Sequence, residues 1–239
     1  MFWKPGAIPA GPRPRAILLD ALGTLVSLEP PAPRLRSGLR ASLGVDVGAE
    51  AAARVVREEI AYYRAHLHEA PDAAGLADLR MRCAELVRDE LALDVPVADV
   101  EPVLLDALRF EAFADAAPAL GVLRKAGIAL IVVSNWDVSL HEVLDRTGLR
   151  PLLDGAISSA EAGSAKPDGE IFDRALALAS VRPGEAWHVG DSWSADVVGA
   201  RRAGLVPVWI DRAPWREDRR QAPVRRIASL DELPVLVGL

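Results

Sequence analysis

The sequence predicts an α/β protein: a parallel sheet covered by helices on both faces, with an all-helical segment inserted near its start. Three observations carry this reading. Short, fully apolar runs such as Ala16–Leu19 end abruptly in polar residues, as strands buried on both faces do. From Pro118 onward such runs alternate with helix-period segments, the pattern of repeated strand–helix units. Between these regions, from about Ala32 to Glu111, helix signals alone are found.

Taken in order, residues 1–14 are rich in Gly, Pro and Arg and read as a flexible arm. Ala16–Leu19 is a strand that delivers Asp20 at its tip, followed by the small turn Ala21-Leu22-Gly23-Thr24. Glu29-Pro30-Pro31-Ala32-Pro33 breaks the chain. Apolar residues then recur at three and four spacing, in Val55, Val56, Ile60, Tyr63 and Leu67 and again in Leu79, Cys83, Leu86 and Leu91. Beyond Pro118, helices are expected at 119–126, 138–147, 169–179 and 194–203. Strands are expected at 128–133, 155–158, 186–189 and 206–210. Gly127, Gly148 and Gly204 stop three of the helices. The expected organisation is a core of residues 15–28 plus 119–239, with a helical unit of residues 29–118 inserted.

Composition narrows the function. A net charge of −6 weighs against nucleic acid as a partner, because phosphate backbones select basic surfaces. Cys83 is the only cysteine, so there is no intrachain disulfide and no cysteine-based zinc site. The apolar runs are too short to span a bilayer, and no signal-peptide core precedes the first strand. A cytoplasmic protein without a membrane partner is expected. The lysines are Lys4, Lys125 and Lys166 alone.

Right-handed crossovers put the C-terminal ends of parallel strands on one edge, where ligands bind in such sheets. Asp20 leaves the first strand there. Ser134 and Asn135 leave the second, Lys166 lies in the loop after the third, and Asp191 follows the fourth with Asp196 five residues on. Carboxylates gathered without a counter-charge repel. A hard cation such as Mg²⁺ relieves that, taking oxygen ligands from a few carboxylates and a substrate phosphate.

Asp20-x-x-Gly23-Thr24-Leu25, Ser134-Asn135, Lys166-Pro167 and Gly190-Asp191-x-x-x-x-Asp196 resemble, in order and spacing, the motifs of the haloacid dehalogenase-like (HAD) superfamily. The resemblance covers about Arg15 to Arg212 and implies a HAD-like Rossmannoid core, with the helical insertion as a cap. It also implies roles. Asp20 is the nucleophile that forms an aspartyl intermediate. Asp20, Asp191, Asp196 and the Leu22 backbone carbonyl form the Mg²⁺ site. Ser134, Asn135, Lys166 and Thr24 contact the transferring group, Ser134 and Lys166 as catalytic residues. Gly23 allows the turn, which the Thr24 hydroxyl steadies.

One position departs from the pattern. Phosphatases of this superfamily usually carry a second Asp two residues after the nucleophile, and here that position is Leu22. General acid–base assistance contributes about 10²–10⁴ in rate. The resemblance therefore points to a Mg²⁺-dependent phosphatase acting on a small phosphorylated metabolite, either with a substitute acid or with a leaving group that needs none, as in acyl and aryl phosphates. Two alternatives stand beside it: a 2-haloacid dehalogenase-like hydrolase, with Arg34, Arg36 or Arg40 gripping a carboxylate, and a non-catalytic binding module. A phosphonatase requires a cap lysine, and residues 32–118 contain none.

The remaining polar residues have plainer readings. His188, inside a strand, reads as a satisfied core histidine. Ser192 and Ser194 read as helix caps. Trp136 either faces the substrate or packs the helical unit against the core. Tyr62, Tyr63, His66 and His68 read as packing and surface within the helical unit, and Cys83 as a small buried hydrophobe. The basic stretch from Arg212 to Arg226 reads as a solvated loop.

Overall fold

A computed structural model describes residues 13–212 and 224–239. The expected arm therefore lies outside the described residues except for Arg13 and Pro14, as do Arg216, Arg219 and Arg220 of the basic stretch.

The sheet is built on β1 (Ala16–Leu19), which lies between β4 (Ala129–Ser134) and β6 (Ala186–Gly190) and pairs with both in parallel. Beyond them lie β5 (Gly155–Ser158) on one side, and β7 (Val206–Ile210) and β8 (Arg225–Ile227) on the other. The six strands run in the order β5-β4-β1-β6-β7-β8, all parallel. A central strand needs apolar side chains on both faces, and β1 has them. Ile17 and Leu19 enter one layer with Leu123, Val143 and Leu233 from helices α5 (Ala116–Lys125), α6 (Leu140–Arg146) and α10 (Glu232–Leu236). Ala16 and Leu18 enter the other with Phe172, Leu176 and Ala200 from α8 (Gly169–Ala179) and α9 (Gly199–Arg202). The short helix α7 (Ser159–Ala162) follows β5 directly and opens on a capping box of Ser158 and Glu161.

Four helices form the insertion: α1 (Pro31–Leu43), α2 (Ala49–His66), α3 (Ala73–Glu90) and α4 (Val97–Ala107). Their apolar stripes close on a separate core that includes Leu35, Leu39, Val55, Leu79, Cys83, Val100 and Leu104. The helix-only expectation for this region needs correction at its far end. Phe110–Ala112 is strand β3, paired antiparallel with β2 (Val26–Leu28), so a two-stranded ribbon joins the helices to the sheet. Three residues per strand are too few for alternation to show in sequence. Helix α5 also starts at Ala116, ahead of the expected 119, because Pro118 fits a first turn whose N–H groups are unpaired anyway.

Beyond the ribbon, the helices meet the sheet edge through the β4–α6 loop. The Val138 N–H bonds the Ala70 carbonyl at 3.1 Å. The Tyr63 hydroxyl donates to Asp137 Oδ2 at 2.9 Å. Trp136 settles as packing: it is buried, and its ring lies 4.8 Å from that of Phe110 on the ribbon. Tyr63 is more than packing within the helical unit, since its hydroxyl reaches the core.

Candidate active site

Adjacent strands β4, β1 and β6 each deliver one polar group to the same edge. Asp20 follows β1, and its N–H bonds Val189 O at 2.9 Å, which ties it to β6. Within the segment, the turn behind it closes through backbone bonds: Leu25 and Val26 N–H to Ala21 O, and Gly23 N–H to Val26 O. Gly23 sits at φ +83°, and a Cβ there would collide with the Asp191 carboxylate, so glycine is required twice over. The Thr24 hydroxyl does not steady this turn. It is fully buried and has no hydrogen-bond partner among the described residues.

Ser134 ends β4, and its hydroxyl donates to Asp20 Oδ1 at 3.0 Å. Lys166 Nζ lies 2.6 Å from the same oxygen and 2.6 Å from Asp196 Oδ1. Asn135, expected beside the transferring group, is bonded to the lysine loop. Its Oδ1 accepts the Lys166 N–H at 2.8 Å and its Nδ2 donates to the Lys166 carbonyl at 2.9 Å. Both ends of the amide therefore hold the lysine backbone in place.

Asp191 leaves β6, and Asp196 follows in a π-helical turn, Trp193–Val198, which brings it back beneath the strand end. Ser192 caps that turn by accepting from the Ala195 N–H; Ser194 does not. A Cβ at Gly190 would collide with the Asp196 carboxyl group. Asp196 accepts three protein donors, Lys166 Nζ and His188 Nε2 on Oδ1 and the Ser192 N–H on Oδ2, which leaves one acceptor site on Oδ2. His188 is thus only half a satisfied core histidine. Its Nε2–H donates to Asp196 at 2.9 Å, while Nδ1 is buried without a partner among the described residues. Its place two residues before Gly190 on one β6 face is the signal that could have marked it.

Oxygen atoms of Asp20, Asp191 and Asp196 lie within 4.8 Å of one another. Burial drives the Asp20 carboxyl up to about 6, against the pull of Lys166 and with the push of Asp196. Burial, then Asp196, also raises Asp191. Burial works to raise Asp196, but Lys166 and His188 prevail and hold it well below the ordinary range. Burial works against charge on Lys166, yet Asp20 and Asp196 keep it raised. Three carboxylates against one ammonium leave a local negative excess, and this all-oxygen donor set suits a hard divalent cation.

Of the basic stretch, the described arginines are pinned, which corrects the expectation of a solvated loop. Arg225 lies over the Trp187 ring, and Arg226 pairs with Asp211 at 2.6 Å. Arg212 bonds the Gly23 and Thr24 carbonyls.

A parallel α/β sheet with acidic, lysine and serine side chains converging at its C-terminal edge defines a hydrolase-type core. A family profile described as haloacid dehalogenase-like hydrolase matches residues 14–204, and the chain belongs to that family. It is similar to the phosphoserine phosphatase of Thermus thermophilus, 36% identical over 126 residues, which are 52% of this chain and 51% of that protein. It is also similar to the bovine haloacid dehalogenase-like hydrolase domain-containing protein 3, 46% identical over 82 residues, 34% of this chain and 33% of that protein. The chain thus spans a third to a half of the length of these relatives. Among solved structures, a HAD phosphatase from Thermococcus onnurineus superposes at TM-score 0.65 with 27% identity, covering 94% of this chain and 98% of that one. A dehalogenase with its intermediate complex superposes at 0.67 with 25% identity, covering 96% and 100%.

Proposed function

We propose that this hydrolase is a Mg²⁺-dependent phosphatase of small phosphorylated metabolites, working through an aspartyl-phosphate at Asp20. The observation that carries the reading is one buried carboxylate, Asp20, that receives Ser134 and Lys166 on one oxygen and has Asp191 and Asp196 beside it. When bound, Mg²⁺ would be held by Asp20 and Asp191, with Asp196 and the Leu22 carbonyl beside them, and would offset negative charge on the phosphate. Lys166 and Ser134 fix Oδ1, so Oδ2 is the oxygen presented to phosphorus. It forms the bond to phosphorus as the P–O bond to the leaving group breaks, releasing a carboxylate or phenolate and leaving the aspartyl-phosphate. Water then attacks the phosphorus, its proton passing to an oxygen of the departing inorganic phosphate, and the P–O bond to Asp20 breaks to regenerate the carboxylate. Lys166, with a third N–H to give, and the uncommitted Thr24 hydroxyl are the donors for phosphate oxygens, and Ser134 joins them when its O–H turns from Asp20 to the substrate. Asp196 and Asn135 hold Lys166 at its side chain and its backbone, which makes them positioning residues.

Leu22 cannot protonate a leaving group. Acyl and aryl phosphates, whose leaving groups are weak bases, are therefore the favoured substrates. The Leu22 argument also suits halide departure, and a dehalogenase is among the superposing structures. The arginines that reading needs are engaged elsewhere: Arg34 with Glu29 and Asp106, Arg36 with the Val47 carbonyl, Arg40 with Asp46.

The deciding experiment assays phosphomonoesters, acyl phosphates and 2-haloacids, each with Mg²⁺ and with chelator. Chelator-sensitive phosphate release, abolished by Asp20→Asn, is expected. Chelator-insensitive halide release would overturn the reading in favour of the dehalogenase, and full activity in Asp20→Asn would remove Asp20 as the nucleophile.

A further inference from the structure

We infer that Arg212 is a positioning residue that locks the turn behind Asp20 to the segment linking the strand that returns from the helical insertion to α5. Its place in the reaction rests on the phosphatase reading; its hold on the turn does not.

Arg212 lies two residues past β7, a position where a loop arginine would ordinarily be solvated. Instead its guanidinium makes four hydrogen bonds, and its side chain is only 20% exposed. Two bonds form a fork onto Asp115, at 2.8 and 3.0 Å. The other two go to backbone carbonyls of the turn, Thr24 O at 2.7 Å and Gly23 O at 3.2 Å. The planar group also stacks 3.8 Å from the centre of the Phe113 ring. Phe113 and Asp115 immediately follow β3, and the Phe113 N–H bonds Leu25 O at 3.0 Å. Asp115 is held in turn by the Ser229 hydroxyl and the Leu230 N–H, both at 2.8 Å.

The turn has no side-chain brace of its own, since Thr24 Oγ1 is unpaired among the described residues. Its two outward carbonyls are fixed by one cation whose counter-ion, Asp115, sits just past the return strand at the start of α5. Displacement of that strand is therefore transmitted to the peptides that follow Asp20 and carry the Leu22 carbonyl. Only a planar fork makes these contacts together; a lysine ammonium can satisfy the charge but not the geometry.

The test compares wild type with Arg212→Lys, Arg212→Met and Asp115→Asn, by hydrogen exchange and by kinetics on the best phosphate substrate. Faster exchange is expected at the amides of Gly23, Leu25, Val26 and Phe113, with β1 and β4 amides as protected as in wild type. Turnover is expected to fall about 10–100-fold through kcat, with KM little changed, as for a small misplacement of reacting groups. Should Arg212→Met fail to fold, Arg212→Lys carries the same expectation. Unchanged exchange at the turn in a folded variant would overturn the inference, and so would a loss expressed in KM alone. If the wild type releases no phosphate, the phosphatase reading falls by itself and the exchange comparison still decides the role of Arg212.

Discussion

Leu22 is the residue at which this chain departs from the phosphatase pattern that its other motifs follow. It is partly buried, and its side chain packs against the layer containing Leu25 and Val26. The departure is chemical rather than architectural, because the backbone turn around it closes fully without a side chain at position 22. Leu22→Asp is therefore expected to raise hydrolysis of alkyl phosphates more than that of aryl or acyl phosphates. General acids contribute about 10²–10⁴, so even a poorly placed carboxyl should register. The measurement is kcat on a matched alkyl and aryl pair, with Mg²⁺ binding checked in parallel. No gain on the alkyl substrate, with the metal still bound, would show that the pocket at position 22 does not present a proton to the leaving group. The neighbouring His188 teaches the complementary lesson. Its identity and its place on a strand are plain in the sequence, but its bond to Asp196 depends on a π-helical turn that no periodicity announces.

Helix α2 carries two groups that give it a role beyond packing. Glu59 is buried among apolar neighbours, and burial pushes its carboxyl up to about 7, with the nearby Cys83 thiol opposing only weakly. The fold thus prefers the neutral acid. Its stabilising contribution is fully present below the unfolded value of about 4.5 and is lost as pH rises through 7. Glu59→Gln should match wild type near pH 4. At pH 8 it should be more stable by on the order of 2–3 kcal/mol, which is several degrees in melting temperature for a chain of this size. Thermal melts of both proteins across that range check this, and a gap that fails to widen with pH would contradict it. One turn on, Tyr63 bonds Asp137, which is itself buried in the β4–α6 loop. Tyr63→Phe leaves that carboxylate short of a donor and should cost about 1–3 kcal/mol. In a double-mutant cycle with Asp137→Asn the two losses should be clearly non-additive; additive losses would mean that the bond does not join helix to loop.

At the scale of the molecule, the alternation of apolar runs and helical periods was enough to read the parallel sheet, and strand ends were enough to gather Asp20, Ser134, Lys166 and Asp191 at one edge. What escaped the sequence was either short or non-local. The β2–β3 ribbon and β8 have three residues per strand, and the network from Arg212 to Asp115 and Ser229 spans more than a hundred residues of chain. The bonds from Asn135 to the lysine loop, 31 residues away in sequence, were likewise invisible from its place beside Ser134. The same long-range assembly makes the sheet edge an electrostatic compromise. Folding brings three carboxylates within 4.8 Å of one another with a single ammonium among them, and Asp20 and Asp191 are both harder to ionise there than in solvent. An ion that binds only the folded arrangement should therefore act as a strong stabiliser. At a hundredfold excess over its dissociation constant the linkage is about 2.7 kcal/mol. For a chain of this length that is roughly 5–10 °C in melting temperature. Mg²⁺ is expected to give such a shift in wild type, reversed by chelator. Asp191→Asn is expected to melt higher than wild type without the ion, because one repelling charge is gone, and to lose most of the Mg²⁺ response. If instead Asp191→Asn keeps the full response, the ion's site lies elsewhere and the convergence of these three side chains has another purpose.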